Sequence, residues 1–267
     1  MKLIIFIKII LYIFCSIENY NNILKYHQCS FNSYLKKYKI ENEIDINNII
    51  SIINSKHLKI YHQKNCIVKL PVAKKSDDIF AFLTEKERIF FSLILKKSKI
   101  YLEFGMGGST LLAYMTPNIE KIISIDSDKN WINKIRNFKN VKKDEGKRII
   151  LEHIYIGKTT YWGLPIGKKN KKFFPNYSNQ IFKKYKNDYD LVLIDSIFRV
   201  ACALQVILNC KSDIKILIHD FNYTPYYHIL YKYLDVIYSI DSLVLFSIKE
   251  DIDYDEVRKD YEIYKYK

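Results

Sequence analysis

Short apolar runs rich in β-branched residues alternate with segments of helical pattern from residue 99 onward, and this alternation limits the possible folds. A strand, a helix and a second strand in series form a βαβ unit, which builds a parallel sheet with helices on its faces. We therefore expect an α/β, Rossmann-like, doubly wound sheet that is mostly parallel. The predicted strands lie at 99–104, 121–126, 148–156, 191–195, 214–220, 235–240 and 242–248.

The connections between these runs refine the prediction. Only residue 241 separates the last two runs, which is too short for a crossover helix, so they should form an antiparallel hairpin at the edge of the sheet. Thr84 and Glu87 form a capping box ahead of the apolar run IFFSLIL, which predicts a helix over 85–97. The polar, Lys-rich segment 157–189 is expected to be a solvated loop.

The two ends of the chain differ from its middle. Residues 1–17 form a mostly apolar stretch that is short for a transmembrane helix, which needs about 20 residues, and is sized like the core of a signal peptide. This predicts a secretory or membrane-anchored protein with membrane contact through that segment, and a cytoplasmic first helix is the alternative. The expected segments are 1–17 signal peptide or anchor, 18–83 mostly helical extension, 84–249 α/β domain and 250–267 charged, solvated tail.

The five cysteines give no zinc or redox motif, because no two of them have C-x-x-C spacing. Cys202 and Cys210 lie eight apart in a predicted helix, which separates them by about 12 Å and excludes a disulfide between them. We expect both to be small core residues. Cys29 and Cys66 either pair in an oxidising compartment or remain two free thiols.

The composition supports a folded core and argues against specific nucleic-acid binding. Of 267 residues, 49% are hydrophobic, and the formal net charge is +14. Five of the 43 basic residues are arginine, whereas specific phosphate and base recognition favours the planar guanidinium of arginine. Lys, Asn, Ile, Tyr and Phe all have A/T-rich codons, so genome composition explains much of the charge.

Three of the seven glycines lie together in YLEFGMGGST, at Gly105, Gly107 and Gly108. They follow a predicted strand and open a predicted helix, a place where glycines permit a tight turn and let a ligand approach the backbone. Asp126 ends the next strand 21 residues after Gly105, at the spacing of an acid that accepts hydrogen bonds from a ribose. The cluster is therefore either a nucleotide-binding turn or a plain strand-to-helix turn.

At these residues the sequence resembles the class I S-adenosylmethionine-dependent methyltransferases. The resemblance covers 84–249, with EFGMGGST, SIDSDKNW, LVLIDSIFRVACAL and ILIHDF as its anchors, and looks closest to small methyltransferase-like domains with a G-x-G-G-S-T turn. It implies S-adenosylmethionine as cofactor: Glu103 would orient the loop and the methionine amino group, and the acid after the second strand would bind the ribose. The implied cofactor-binding residues are Glu103, Gly105, Gly107, Gly108, Asp126, Ser127 and Asp195, with Asp128 beside them.

The expected reaction is methyl transfer to an unidentified acceptor, with oxygen as the expected acceptor atom and a glycan or small metabolite as the expected substrate. Asp195, His219 and Asp220 follow adjacent strands, at the edge where open α/β sheets bind ligands. We expect them to be catalytic, with His219 either the general base or a structural histidine paired with a carboxylate. No metal is assigned, although Asp195 and Asp220 could supply two oxygen ligands, because Phe221 stands where relatives have a third ligand. Arg199 either clamps an anionic substrate or forms an ion pair.

Two other interpretations remain open at this point. An NAD(P)-dependent enzyme would normally have a third glycine at position 110, where this chain has Thr110. A non-catalytic binding or scaffold protein is favoured by the lack of an acid in IYIGKTTYWG, after the third strand, where relatives hold adenine. In the enzyme interpretation, Trp162 or a backbone amide replaces that acid.

Overall fold

A computed structural model describes residues 81–185 and 188–267. The predictions for the signal or anchor segment 1–17, for nearly all of the extension 18–83, and for Cys29 and Cys66 lie outside the described residues. Among the described helices, none is long and apolar enough to cross a membrane.

Within these ranges the secondary structure alternates as the sequence predicts. The strands are β1 Ile100–Phe104, β2 Lys121–Asp126, β3 Ile149–His153, β4 Leu191–Ile194, β5 Lys215–Ile218, β6 Leu234–Ile240 and β7 Leu243–Ile248. The α-helices are α1 Glu85–Leu95, α2 Gly108–Met115, α3 Lys129–Arg136, α4 Lys139–Asp144, α5 Phe174–Lys184, α6 Arg199–Asn209 and α7 Tyr254–Tyr264. Short 3₁₀ helices cover Tyr161–Gly163, Lys171–Phe173 and Pro225–Lys232.

The described strands form one seven-stranded sheet in the order β3-β2-β1-β4-β5-β7-β6. The first five strands are parallel, β7 runs antiparallel to β5, and β6 pairs with β7 at the edge. This confirms the predicted Rossmann-like, mostly parallel sheet with a closing antiparallel hairpin. β1, β4 and β5 are buried along nearly their whole length, which explains why they read as continuous apolar runs.

Three strand and helix ends differ from the prediction by two or three residues. β5 ends at Ile218 rather than at 220. β3 ends at His153 rather than at 156, because its partner β2 ends at Asp126, the residue paired with His153. Helix α1 begins at its predicted capping box, with Thr84 accepting from the Glu87 amide, and ends at Leu95 rather than 97.

Two segments predicted to be solvated contain packed helices instead. In the Lys-rich segment 157–189, α5 buries Phe174, Tyr177 and Ile181 against the core. The tail 250–267 contains α7, which Asp253 caps and which buries Val257 and Tyr261. Helix α7 has only this narrow apolar stripe within a polar sequence, whereas α5 has a wider stripe that lies between lysine-rich segments. The expectation of a solvated loop and a solvated tail was wrong for these residues.

Helix α6 lies at the centre of the core. Its residues from Val200 to Ile207 are almost all buried, and it contacts α5 and α7. Cys202 is a free thiol fully buried in this helix, and burial raises its pKa well above the usual value. Cys210, at the end of α6, is half-buried, and burial raises its pKa to about 12. Both are poorly ionised, as expected of cysteines in a packing role.

Candidate functional site

A cleft of about 1070 Å³ opens at the carboxyl ends of the parallel strands. It lies beside β1 and β4, where the strand order reverses, and in open α/β sheets this reversal leaves a crevice that binds ligands. Among the predicted site residues, the cleft is lined by Gly105, Gly107, Gly108, Asp126, Ser127, Asp128, Asp195, Arg199, His219 and Asp220.

The glycine loop links the two sides of the cleft. Gly105 has a φ of +98°, and a Cβ there would lie 2.1 Å from the carbonyl oxygen of Asp195, so only glycine fits. The Gly105 amide donates to Ile125 O at 3.0 Å, and the Gly107 amide donates to Thr110 Oγ1 at 2.9 Å. These contacts hold the loop against both neighbouring strands and direct it into the amino terminus of α2.

Glu103 lies beneath this loop and has no exposed surface. Its carboxylate accepts from Thr110 Oγ1 at 2.5 Å, from Ser124 Oγ at 2.6 Å and from Tyr101 OH at 3.2 Å. Burial raises its pKa to about 7 although these hydroxyl groups oppose the shift. The contacts fit the predicted orientation of the loop, through Thr110. They do not fit the predicted contact with a methionine amino group, because the carboxylate is sealed from the cleft.

Asp126 ends β2 and faces the cleft. Its carboxylate accepts the backbone N–H of Met106 at 3.1 Å and that of Asp128 at 2.8 Å. Burial raises its pKa to about 6 against these hydrogen bonds. None of the ion pairs formed within residues 81–185 and 188–267 includes Asp126. It is therefore a half-buried acceptor that two backbone N–H groups hold, with no cationic side chain paired to it in the described parts of the chain.

The two residues after Asp126 have local structural contacts. Ser127 Oγ donates to Gly163 O at 3.1 Å, which ties the turn to the opposite wall of the cleft. Asp128 caps α3 by accepting the amide of Asn130 at 2.8 Å. Both line the cleft, so these contacts leave their predicted proximity to a ligand intact.

A cluster of charged side chains forms the other side of the cleft, at the ends of β4 and β5. His219 Nδ1 lies 3.0 Å from Asp195 Oδ1 and 3.8 Å from Asp220 Oδ1. Arg199 Nη2 bridges the same two carboxylates, at 2.9 Å from Asp195 Oδ1 and 2.8 Å from Asp220 Oδ2. The sequence places Arg199 one helical turn after Asp195. Of the two expected roles, a clamp for an anionic substrate or an ion pair, the structure shows the ion pair.

A fifth member of the cluster comes from α1. Glu87 is almost fully buried, and its Oε2 lies 3.6 Å from His219 Nε2. Its Oε1 accepts both the amide and the hydroxyl of Ser242, each at 2.8 Å. The sequence reveals Glu87 as the second residue of a capping box, and that motif gives no sign of these long-range contacts.

These contacts set the protonation states of the cluster. Burial opposes the charge of His219, but hydrogen bonds to Asp195 and Glu87 and the charges of Asp195 and Asp220 outweigh it and raise its pKa to about 10. Burial would raise the pKa of Glu87, but His219, Thr84 and Ser242 lower it to about 2. Similarly, His219 and Arg199 keep the pKa of Asp195 below its usual value despite burial. His219 is therefore a cation at neutral pH, and the predicted general-base role, which needs a neutral imidazole, does not fit this environment.

The same residues include a geometric candidate for a metal site. Ligand atoms of Asp195, His219 and Asp220 lie within 4.8 Å of one another. Arg199 Nη2 already contacts both carboxylates, so its guanidinium lies where an ion bound to them would lie. The donor set does not fit a divalent cation in this state.

The wall opposite the glycine loop is a short hairpin after β3. An isolated bridge joins Thr159 and Pro165, and Tyr161 and Trp162 lie at its tip. Tyr161, Trp162 and Leu164 all line the cleft. No acid occurs between Thr159 and Pro165, and Trp162, which with a backbone amide is one of the two expected replacements for that acid, lines the cleft.

Comparisons with known proteins address the fold. No protein-family model matches the chain, and no curated protein matches it. Among solved structures, a methyltransferase-like protein from Silicibacter pomeroyi matches with a TM-score of 0.64 and 22% identity, over 71% of this chain and 98% of that chain. The described domain has a methyltransferase-like, Rossmann-type fold.

Other solved structures resemble the chain more weakly. A ribosomal protein L11 methylase from Lactobacillus delbrueckii subsp. bulgaricus has a TM-score of 0.40 and 9% identity, over 65% of this chain and 82% of that chain. A cofactor-bound protein from MTB, Rv0187, has a TM-score of 0.42 and 14% identity, over 61% and 79%. These scores are too low to support a statement about activity or ligand, and the match above shows the fold alone.

Proposed function

We propose that this protein is an S-adenosylmethionine-dependent methyltransferase. The observation that supports this most directly is the combination of Gly105, Gly107 and Gly108 with Asp126 in one cleft at the reversal point of the sheet. Asp126 is a half-buried carboxylate that lines the cleft and has no cationic partner among the described ion pairs, and it is therefore suited to accept hydrogen bonds from the two hydroxyls of a ribose. The sequence resemblance to small G-x-G-G-S-T methyltransferase-like domains supports the same proposal.

The cleft has the donors that such a cofactor requires. The first N–H groups of α2 have no partners within the helix, so its amino terminus favours a carboxylate such as that of the methionine part. A Cβ at Gly107 would find its nearest neighbour, Trp131 Nε1, 4.0 Å away, so the backbone is open to a ligand there. When bound, the cofactor supplies an activated methyl group on a sulfonium.

The charged cluster would act on the methyl acceptor. Transfer to an acceptor requires alignment more than covalent chemistry, and a base is needed only where the acceptor loses a proton. Asp220 has the most exposed carboxylate of the cluster, with 46% of its side chain accessible. We propose that Asp220 accepts the hydrogen bond of an acceptor hydroxyl, and that His219 and Arg199 position it. An oxygen acceptor on a glycan or small metabolite remains the substrate class that we propose.

The test is calorimetric titration of the whole chain with S-adenosylmethionine, S-adenosylhomocysteine and NAD in parallel. We expect micromolar binding of the two adenosyl ligands and at least a tenfold loss of affinity in Asp126→Ala, since a hydrogen bond to a charged group contributes about 1.5–3 kcal/mol. Asp235→Ala is the matched control, because Asp235 is an exposed acid on the edge strand β6, outside the cleft.

Two outcomes would replace the proposal. Binding of NAD alone would indicate a nicotinamide-dependent enzyme. Silence with all three ligands, on a protein shown to be folded, would favour a non-catalytic scaffold, which the internal neutralisation of Asp195 and Asp220 by Arg199 also fits.

A further inference from the structure

The hairpin at the mouth of the cleft is a built feature with a fixed shape. Besides the bridge between Thr159 and Pro165, the Thr160 amide donates to Leu164 O at 2.8 Å, and the Ile166 amide donates to Lys158 O at 2.8 Å. Ser127 Oγ anchors the tip by donating to Gly163 O. The loop is therefore held on two sides, by its own ladder and by the turn after β2.

This hairpin exposes large apolar side chains that a folded domain normally buries. Tyr161 is 86% exposed and Trp162 is 73% exposed, and Leu164 and Ile166 are also exposed. Trp162 has a φ of +62°, in the left-handed region, which costs about 1–2 kcal/mol for a residue other than glycine. The backbone is thus strained where it presents the tryptophan to solvent, and an edge-to-face contact with Phe82, at 5.1 Å between ring centroids, supports the ring.

The cleft alone does not account for this apolar surface. Tyr161, Trp162 and Leu164 line the cleft, but Ile166 and the exposed Tyr155 do not. A cofactor or acceptor inside the cleft would therefore leave part of the surface uncovered. Exposed apolar groups of this kind mark a site that meets another surface.

The charge around the hairpin identifies the type of surface. Residues 153–187 contain eight lysines and no aspartate or glutamate. Five of these lysines are exposed and flank the hairpin: Lys158, Lys168, Lys169, Lys171 and Lys172. They take part in none of the ion pairs found in the described parts of the chain. Unneutralised lysines beside tryptophan, tyrosine and aliphatic side chains form the pattern of a peripheral membrane-binding element.

We propose that the 158–172 segment docks on the surface of an anionic lipid bilayer. Tyr161, Trp162, Leu164 and Ile166 would enter the boundary between headgroups and acyl chains, where tyrosine and tryptophan are favoured. The flanking lysines would lie among the anionic headgroups. A single-stranded nucleic acid fits less well, because the aliphatic side chains of Leu164 and Ile166 cannot stack on bases and the segment has no arginine.

Docking in this way would place the mouth of the cleft against the bilayer. The inference does not depend on methyl transfer, since lipid binding is measured without cofactor or acceptor. It can also be distinguished from any membrane contact through residues 1–17, because the fluorescence of Trp162 reports on the hairpin itself. The chain has two tryptophans, and Trp131 is half-buried with its Nε1 bonded to Met106 O.

The experiment uses tryptophan fluorescence of the full chain with vesicles. In Trp131→Phe, Trp162 is the sole tryptophan, and phosphatidylcholine vesicles that contain phosphatidylserine should shift its emission to the blue and let brominated lipids quench it. Vesicles of phosphatidylcholine alone should do so weakly, and added salt should reverse the shift. Trp162→Phe, in which only Trp131 reports, should show neither effect. If Trp131→Phe is unfolded, subtracting the emission of Trp162→Phe from that of the wild-type chain gives the same information about Trp162.

A charge-matched pair of variants tests the role of the lysines. Replacing Lys168 and Lys169 with glutamine should weaken binding to the anionic vesicles about 25-fold, from about fivefold for each lysine. Replacing the exposed pair Lys142 and Lys143 in α4 removes the same charge near the amino end of β3, whereas the hairpin follows its carboxyl end, and should change binding little.

Three results would overturn the inference. The first is an absence of vesicle binding by the full chain. The second is vesicle binding in which Trp162 emission and quenching do not change, because another segment would then make the contact. The third is a blue shift of Trp162 with oligo(dT) but not with vesicles, which would assign the surface to nucleic acid.

Discussion

On the glycine-loop side of the cleft, Asp126 and Glu103 accept hydrogen bonds from neutral donors only. On the β4–β5 side, by contrast, Asp195 and Glu87 pair with the cationic His219. Burial is the largest influence on the pKa of all four acids and raises each of them. The net pKa is about 6 for Asp126 and about 7 for Glu103, but about 2 for Glu87 and below the usual value for Asp195. The presence of a cationic neighbour therefore decides whether the pKa of each acid rises or falls.

The two sides of the cleft therefore hold their acids differently, one by pairing them with a cation and the other by hydrogen bonds from neutral donors. A paired acid stabilises the fold at neutral pH, whereas an unpaired buried acid is ionised at a cost that hydrogen bonds from a ligand can offset. The glycine-loop side is thus suited to a ligand that donates hydrogen bonds. The β4–β5 side is already satisfied within the protein, so changes there should affect stability more than ligand affinity.

Gly105→Ala should have the largest effect, because Gly105 is where the two sides meet. The new Cβ would lie 2.1 Å from Asp195 O, and the φ of +98° is unfavourable for alanine. We expect a loss of about 3–5 kcal/mol in the free energy of unfolding, from strain and overpacking together. Urea denaturation followed by circular dichroism measures it.

Gly146→Ala is the matched control for that experiment. Gly146 also has a positive φ, +82°, but a Cβ there would meet nothing within 4 Å. It should cost only the conformational strain, about 1 kcal/mol. Equal losses in the two variants would show that contact with the Asp195 backbone contributes nothing.

Glu87→Gln should break the paired side without touching the glycine loop. Removing one partner of a buried ion pair costs about 3–5 kcal/mol, because the other charge is left uncompensated. We expect the lower end of this range for the free energy of unfolding at pH 7, since glutamine keeps part of the hydrogen bonding to Ser242. The affinity for S-adenosylhomocysteine should change much less than the stability.

The pH dependence of this loss has a defined sign. The lowered pKa of Glu87 gives stability that is present above about pH 4.5 and lost as the pH falls towards 2. The raised pKa of His219 gives stability that is present below about pH 6.5 and lost as the pH rises through 10. The difference between wild type and Glu87→Gln should therefore shrink at both extremes. Glu120→Gln, which removes an exposed pair with Lys99, should cost less than about 0.5 kcal/mol throughout.

The sequence predicts the loop side of the comparison better than the paired side. Gly105 directly follows β1 and Asp126 ends β2, and the rule that the ends of parallel strands meet at one edge is enough to bring them together. Glu87 bonds to Ser242 across 155 residues, a contact that no local pattern encodes. The protonation of His219 depends on Glu87, Asp195 and Asp220, which come from three different elements, so its residue type alone suggested a base where the structure has a cation.

Composition explains why the sequence pattern does not predict two of the helices. α5 and α7 lie among lysines, asparagines and tyrosines, and in α7 only Val257 and Tyr261 are buried. A spacing of four residues with two buried side chains is too weak to distinguish a packed helix from a solvated segment. Their stability comes from contact with α6, which sequence periodicity does not reveal.

Ligand binding should depend on pH through Asp126. A hydroxyl donates best to the ionised carboxylate, whose pKa is about 6 without ligand, so affinity for S-adenosylhomocysteine should fall about tenfold for each pH unit below that value. Titration calorimetry from pH 5 to 8 measures this slope. In Asp126→Asn the affinity should be low and nearly independent of pH, and a slope that survives this substitution would assign the titration to another group, with Glu103 the first candidate because its pKa is about 7.

Trp131→Phe should have the smallest effect, and it should change the affinity for S-adenosylhomocysteine more than the free energy of unfolding. Trp131 Nε1 donates to Met106 O at 2.5 Å and ties α3 to the glycine loop, and phenylalanine keeps most of the ring contact while removing the donor. Loss of one such hydrogen bond is worth about 1 kcal/mol, which corresponds to a fivefold weaker binding of S-adenosylhomocysteine. Hydrogen exchange of the loop amides from Met106 to Gly108 should speed up in the same variant. If both affinity and exchange stay unchanged, the loop is held by Glu103 and Thr110 alone, and the buried acid is then the element that shapes the ligand side of the cleft.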